Sequence, residues 1–264
     1  MLTQLMKYEF KAVGRIMLPL YGAWLIMSLL MGLAVTILEK VVALGIIIGF
    51  LYGAVTIACV VLTIVMVIQR FYKNLLGSEG YLMFTLPVKT ASHVWNKAIS
   101  AAFWIFAGVV MGLLSMGIIV MFTEGYTESF EAIRMFFKIV TGFLGAPKVV
   151  LLIVEIILLA LLMTGEAALK IYAAISLGHQ WGSHRILGAI GAYLAFGIVE
   201  VVLSNIIFNL FPNMEQDLER IFESASDFME MQLMILIMAL IVLVLGTVYF
   251  LVTYKMLDKR LNLE

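Results

Sequence analysis

The stretch "RFYKNLLGSEGYLMFTLPVKTASHVWNK", residues 70–97, interrupts a chain that is otherwise mostly apolar. It carries Arg70, Lys73, Lys89, Lys97 and the carboxylate Glu79, with turn-forming Gly77 and Gly80 and a helix-stopping Pro87. On either side lie the apolar runs 41–68 and 98–122, each longer than the roughly 20 residues that cross a bilayer. Residues 70–97 therefore read as a polar connection between two membrane spans.

Working outward, four more runs of that kind appear, at 16–38, 149–177, 186–211 and 233–254. The 264 residues are 64% hydrophobic and 13% charged, with a mean hydropathy of +1.10. Soluble domains are about 45–50% apolar and about 25% charged, so lipid is the solvent implied. The expected fold class is an all-α membrane protein with six transmembrane helices in a single transmembrane domain, 1–264. Residues 16–68 as one helix would be about 80 Å long against a bilayer of about 30 Å. The chain must turn near Glu39-Lys40, or a few residues later near Gly45.

Lys and Arg residues set the orientation. Lys7, Lys11, Arg15, Arg70, Lys73, Lys89, Lys97, Lys170, Arg185, Lys255, Lys259 and Arg260 fall on one side. Only Lys40, Arg134, Lys138, Lys148 and Arg220 fall on the other. This bias puts both termini and the loops 69–97 and 178–185 in the cytoplasm, and 123–148 and 212–232 outside. Residues 1–15 read as an amphipathic interfacial lead-in, with extension of the first helix as the other reading. Both outer segments are expected to hold short helices. "SFEAIRMFFKIV" is amphipathic, and Asn213 with Gln216 forms a weak capping box.

Composition excludes several function classes. The zero net charge points to no nucleic-acid partner. Cys59 is the single cysteine, so the chain has no internal disulfide. GxxxxGK[ST], HExxH, GxSxG and CxxC are all missing, so no nucleotide-phosphate or hydrolase motif is present. His179 and His184 in "GHQWGSHR" have poor spacing for zinc, and Trp181 there reads as a headgroup anchor. No cofactor or metal is expected on this chain.

Intramembrane carboxylates are functional candidates by default. Glu166 has Lys170 four residues on, which favours a structural pair. Glu200 is deepest and has no cation on its own helix, making it the best candidate for a cargo path or subunit contact. Glu155 lies near the outer boundary, where hydration suffices. Small residues at helical spacing mark close helix approaches: Gly45, Gly49 and Gly53; Gly108 and Gly112; Gly188 and Gly191. Those seams serve packing within the chain or a subunit interface. Tyr81-Leu82-Met83-Phe84 is an apolar patch with a polar rim, which marks a partner surface or a helix lying on lipid.

Three stretches, "LMKYEFKAVGRIMLPLYGAW", "RFYKNLLGSEGYLMFTLPV" and "LGHQWGSHRILGAIGAY", resemble membrane subunits of bacterial ATP-binding-cassette transporters, of the exporter-class (type-2) permease family. The resemblance implies a two-subunit membrane domain, the second subunit being a copy or a paralogue. It also implies separate ATPase partners that carry ATP and Mg and do the hydrolysis. Their docking loop would map to 74–88, with Asn74, Glu79, Gly80, Tyr81, Phe84 and Pro87 at a coupling helix. Cargo among peptides, antibiotics or lipid-like molecules is implied in the same way. Two other readings fit the residues: a non-transporting interaction scaffold, and a proton-coupled secondary transporter using Glu166 and Glu200. Spans 1–3 and 4–6 show no inverted-repeat echo that would favour the last.

Overall fold

In the computed structural model the described residues are 2–37, 42–77, 79–85, 87–181, 184–210 and 226–259. The expected turn at Glu39-Lys40 lies outside them, as does the helix expected after Pro212 up to residue 225. Among the described residues all regular structure is helical: α1 (Leu2–Ile37), α2 (Val42–Phe71), a π-helical turn (Tyr72–Leu76), α3 (Gly80–Thr85), α4 (Thr90–Thr123), α5 (Tyr126–Leu144), α6 (Ala146–Gly178), α7 (Arg185–Leu210) and α8 (Asp227–Lys259). Six helices are long and apolar enough to cross a membrane: α1, α2, α4, α6, α7 and α8. A multi-pass membrane protein follows, because intrahelical bonds are what satisfy a backbone in hydrocarbon.

The expected interfacial lead-in is not a separate element. Residues from Leu2 onward are the first turns of the 36-residue α1. The local reason is packing. Val13 and Met17 are buried, Phe10 meets Phe103 edge-on at 5.1 Å, and Gly14 lies against Trp104. A break after Arg15 would separate Phe10 from the core that Met17 joins. Likewise α4 starts at Thr90, two turns before its apolar run at 98, and in those turns Val94 is buried along with His93, Asn96 and Lys97.

Two compact units divide the chain, Met1–Val67 with Phe103–Val149 and Ile68–Ala102 with Val150–Glu264. In the first, Val13, Met17, Tyr21, Trp24, Cys59 and Trp104 form the core. Two of its polar side chains are paired, as burial away from water favours, while Trp104 Nε1 has no hydrogen-bond partner among the described residues. The Tyr21 hydroxyl donates to the Trp104 carbonyl at 2.8 Å, and Trp24 Nε1 donates to Thr56 Oγ1 at 3.0 Å. Gly108 and Gly112 admit the rings of Tyr21 and Trp24, and Gly32 admits Phe122, so the α4 glycines are seams within the chain. Cys59 is a free thiol with 1% of its surface exposed. The amphipathic segment expected within 123–148 is α5, flanked by Gly125 and Gly145 at φ of 88° and 87°, which end it on both sides.

In the second unit Phe71 stacks on Tyr172, with ring centroids 4.1 Å apart and planes within 9°. Tyr172 donates to the Lys97 carbonyl at 3.3 Å. Gly178 and Gly188 make the tightest crossing. A Cβ on Gly178 would lie 2.2 Å from the Ala189 nitrogen, and one on Gly188 would lie 3.1 Å from Gly178 Cα. Thr90 donates to Asp258 at 3.1 Å, joining the starts of α4 and the end of α8.

Candidate functional site

The stretch 70–97 builds a small, firmly rooted projection. After α2 the chain tightens into the π-helical turn, closed by Gly77 N–H donating to the Tyr72 carbonyl at 2.8 Å. Such turns insert one residue and often mark functional positions. Leu75 and Leu76 are buried beneath it, so the turn is anchored by apolar contact. Gly77 is required sterically: a Cβ there would sit 2.9 Å from the Lys73 carbonyl oxygen.

Glu79 then ties the turn to the start of α3. One carboxylate oxygen pairs with Lys73 Nζ at 3.2 Å, and the other accepts from Asn74 Nδ2 at 3.1 Å. Lys73 and Glu79 are well exposed, so the pair is worth at most about 1 kcal/mol. Its role is orientation. The Glu79 carbonyl also accepts the Met83 N–H, the first helical bond of α3.

Along α3 the expected partner residues separate into two groups. Tyr81 is 68% exposed and Pro87 is exposed, as a contact surface needs. Gly80 is buried, and Phe84 turns inward to meet His93 edge-on at 5.8 Å. Phe84 and Gly80 hold α3 in place, and Asn74 holds Glu79. Leu82, part of the apolar patch though not of the residues that the resemblance maps to the coupling helix, is equally exposed at 68%. It adjoins Tyr81 in the same apolar word.

A second cluster lies within the spans on α6, α7 and α8. Lys170 Nζ is 2.6 Å from Glu200 Oε2, and Tyr249 donates its hydroxyl to the other Glu200 oxygen. Lys170 also lies over the Tyr193 and Tyr249 rings, at 5.3 and 6.0 Å from their centroids. The expected Glu166–Lys170 pair is not formed. Lys170 selects Glu200, whose second oxygen is already held by a tyrosine, so one carboxylate and one ammonium are satisfied together. Among the described residues Glu166 has no hydrogen bond and no ion pair, and it lines a cavity of about 290 Å³. Glu155, expected to be simply hydrated, accepts a 2.6 Å hydrogen bond from Gln232.

The remaining glycine seams differ from one another. Gly188 is filled by the chain's own Gly178 and Trp181, and Gly49 meets Met31 at 3.7 Å. Gly45, Gly53 and Gly191 face open space. Trp181 is exposed, while His179 is buried and edge-on to Tyr72. Comparison with protein-family models, with curated proteins and with solved structures returned no match.

Proposed function

We propose that the chain is the permease subunit of a bacterial ATP-binding-cassette transporter of the exporter class, set in the plasma membrane with both termini cytoplasmic. One observation carries the reading: α3 presents Tyr81 and Leu82 outward from a rigid base. These are two large apolar side chains exposed on a six-residue helix, and exposed apolar patches with a polar rim mark partner surfaces. A groove on a separate ATPase subunit is the occupant proposed for them. The open glycine faces at Gly45, Gly53 and Gly191 support a second permease subunit, a copy or a paralogue, since small residues permit close helix approach in lipid.

In this mechanism ATP binding draws the two ATPases together, and each carries a 70–97 loop with it. The clamp of Lys73, Asn74 and Glu79 transmits the displacement from α3 to the π-helical turn and so to α2. The spans then alternate between inward- and outward-facing states, and differential cargo affinity of the two states sets direction.

Reconstitution in proteoliposomes with the partner ATPase tests this. Replacing Tyr81 and Leu82 together by Ala should abolish co-purification of the ATPase and stimulation of its turnover, with the elution profile unchanged. Undiminished stimulation by the double variant would falsify the docking role.

A further inference from the structure

The carboxylates Glu155 and Glu166 on α6 and Glu200 on α7 are treated unequally. Glu155 accepts from Gln232, and Glu200 holds both Lys170 and Tyr249, while Glu166 has no such partner among the described residues. Glu166, Lys170 and Glu200 thus bring two negative charges and one positive into one apolar region. With both carboxylates ionised, the negative charges exceed the single ammonium by one, a costly arrangement in hydrocarbon unless a proton or a bound cation answers it.

The space beside Glu166 indicates what answers it. The cavity of about 290 Å³ is walled by Trp95, Ala102, Leu161, Leu169, Val242 and Phe250 among others, and of its lining only Glu166 and Thr247 bear side-chain oxygens. A hard inorganic cation stripped of its water is excluded, because two side-chain oxygens cannot replace the six or so ligands that it demands. An anion is excluded by Glu166 itself. A neutral apolar molecule would leave the charge unanswered. Trp95 and Phe250, with ring centroids 4.9 Å apart, offer aromatic surface on the wall, which suits a weakly hydrated ammonium. The volume is at the low end of ligand pockets, about 300–1,000 Å³, so the ligand is small.

We infer that this cavity, between α4, α6 and α8, is a binding site for a small monovalent organic cation, an ammonium with an aromatic or short alkyl body, held by Glu166. Binding at this site stands apart from the permease reading: it needs no ATPase and no nucleotide.

Equilibrium dialysis of benzyltriethylammonium against the purified full-length chain in detergent, with empty micelles as the blank, reads it directly. One saturable site per chain is expected. Glu166→Gln keeps the shape and removes the charge, and should weaken binding by at least about tenfold. Gly246→Leu should abolish it by filling the cavity, since a Cβ at Gly246 already lies 3.8 Å from Glu166 Cβ. Elution volume and thermal midpoint identify a variant that fails to fold, in which case the other variant decides. Three outcomes overturn the inference. One is a wild-type chain without saturable binding at neutral and alkaline pH, which leaves only a proton on Glu166. The others are a folded Glu166→Gln chain, or a folded Gly246→Leu chain, that binds as tightly as the wild type.

Discussion

Lys170 on α6 forms its ion pair with Glu200 on α7, thirty positions along the chain, although Glu166 stands one turn away on its own helix. The side chains are 14% and 28% exposed, so water screens the pair little. It fastens α6 to α7, and the Tyr249 hydroxyl adds α8 to the same carboxylate. Breaking a buried pair from one side costs far more than replacing both partners.

Lys170→Met should therefore lower stability by about 3 kcal/mol, by stranding Glu200 in an apolar setting. The double variant Lys170→Met, Glu200→Gln should recover most of that loss. Thermal unfolding of the three purified proteins in one detergent measures both effects. A double variant as unstable as the single would mean that the pair itself, rather than the stranded charge, is what matters.

Glycines of similar appearance should behave in opposite ways. Gly178→Ala would drive a methyl group to 2.2 Å from a backbone nitrogen, and neither backbone can yield cheaply. A loss of about 3 kcal/mol or failure to fold is expected. Gly53→Ala and Gly191→Ala meet open space and should stay within about 0.5 kcal/mol of wild type. Fluorescence-detected size-exclusion profiles after a heat step compare all three.

Gly77→Ala should distort the π-helical turn, because the new methyl would approach the Lys73 carbonyl to 2.9 Å. The expected cost is about 1–3 kcal/mol, confined to the projection. Limited proteolysis should cut this variant within residues 77–90 faster than the wild type. Equal cleavage rates would show that the turn adapts without strain.

Tyr21→Phe removes the donor to the Trp104 carbonyl while keeping the ring that Gly108 admits. About 1 kcal/mol should be lost, the usual net worth of one intramolecular hydrogen bond. A drop in thermal midpoint smaller than that of Trp24→Ala, which empties a core position, checks the ranking.

Much of the architecture was legible from apolar run length alone. All six runs became helices, since a bilayer sets a minimum length that ordinary cores do not. Helix ends were less legible. Run length reports contact with lipid, whereas the first turns of α4, from Thr90, bury polar residues such as His93 and Asn96 that an apolar run does not count. Lys170 illustrates the limit for side chains. Its neighbour at i−4 is visible in the sequence, but a partner on another helix is decided by packing. Phe84 shares an apolar word with Tyr81, and only the direction of α3 separates the two.

Cys59 has one further consequence, for experiment. The chain's single thiol is 1% exposed, so the unaltered protein should react slowly with maleimide reagents while folded. A cysteine introduced at Tyr81, Leu82 or Gly191 becomes the sole fast-reacting position without any prior cysteine-free background. Spin labels, fluorophores and crosslinkers can then report on the α3 tip or an open glycine face, with unfolding announced by the late reaction of Cys59 itself.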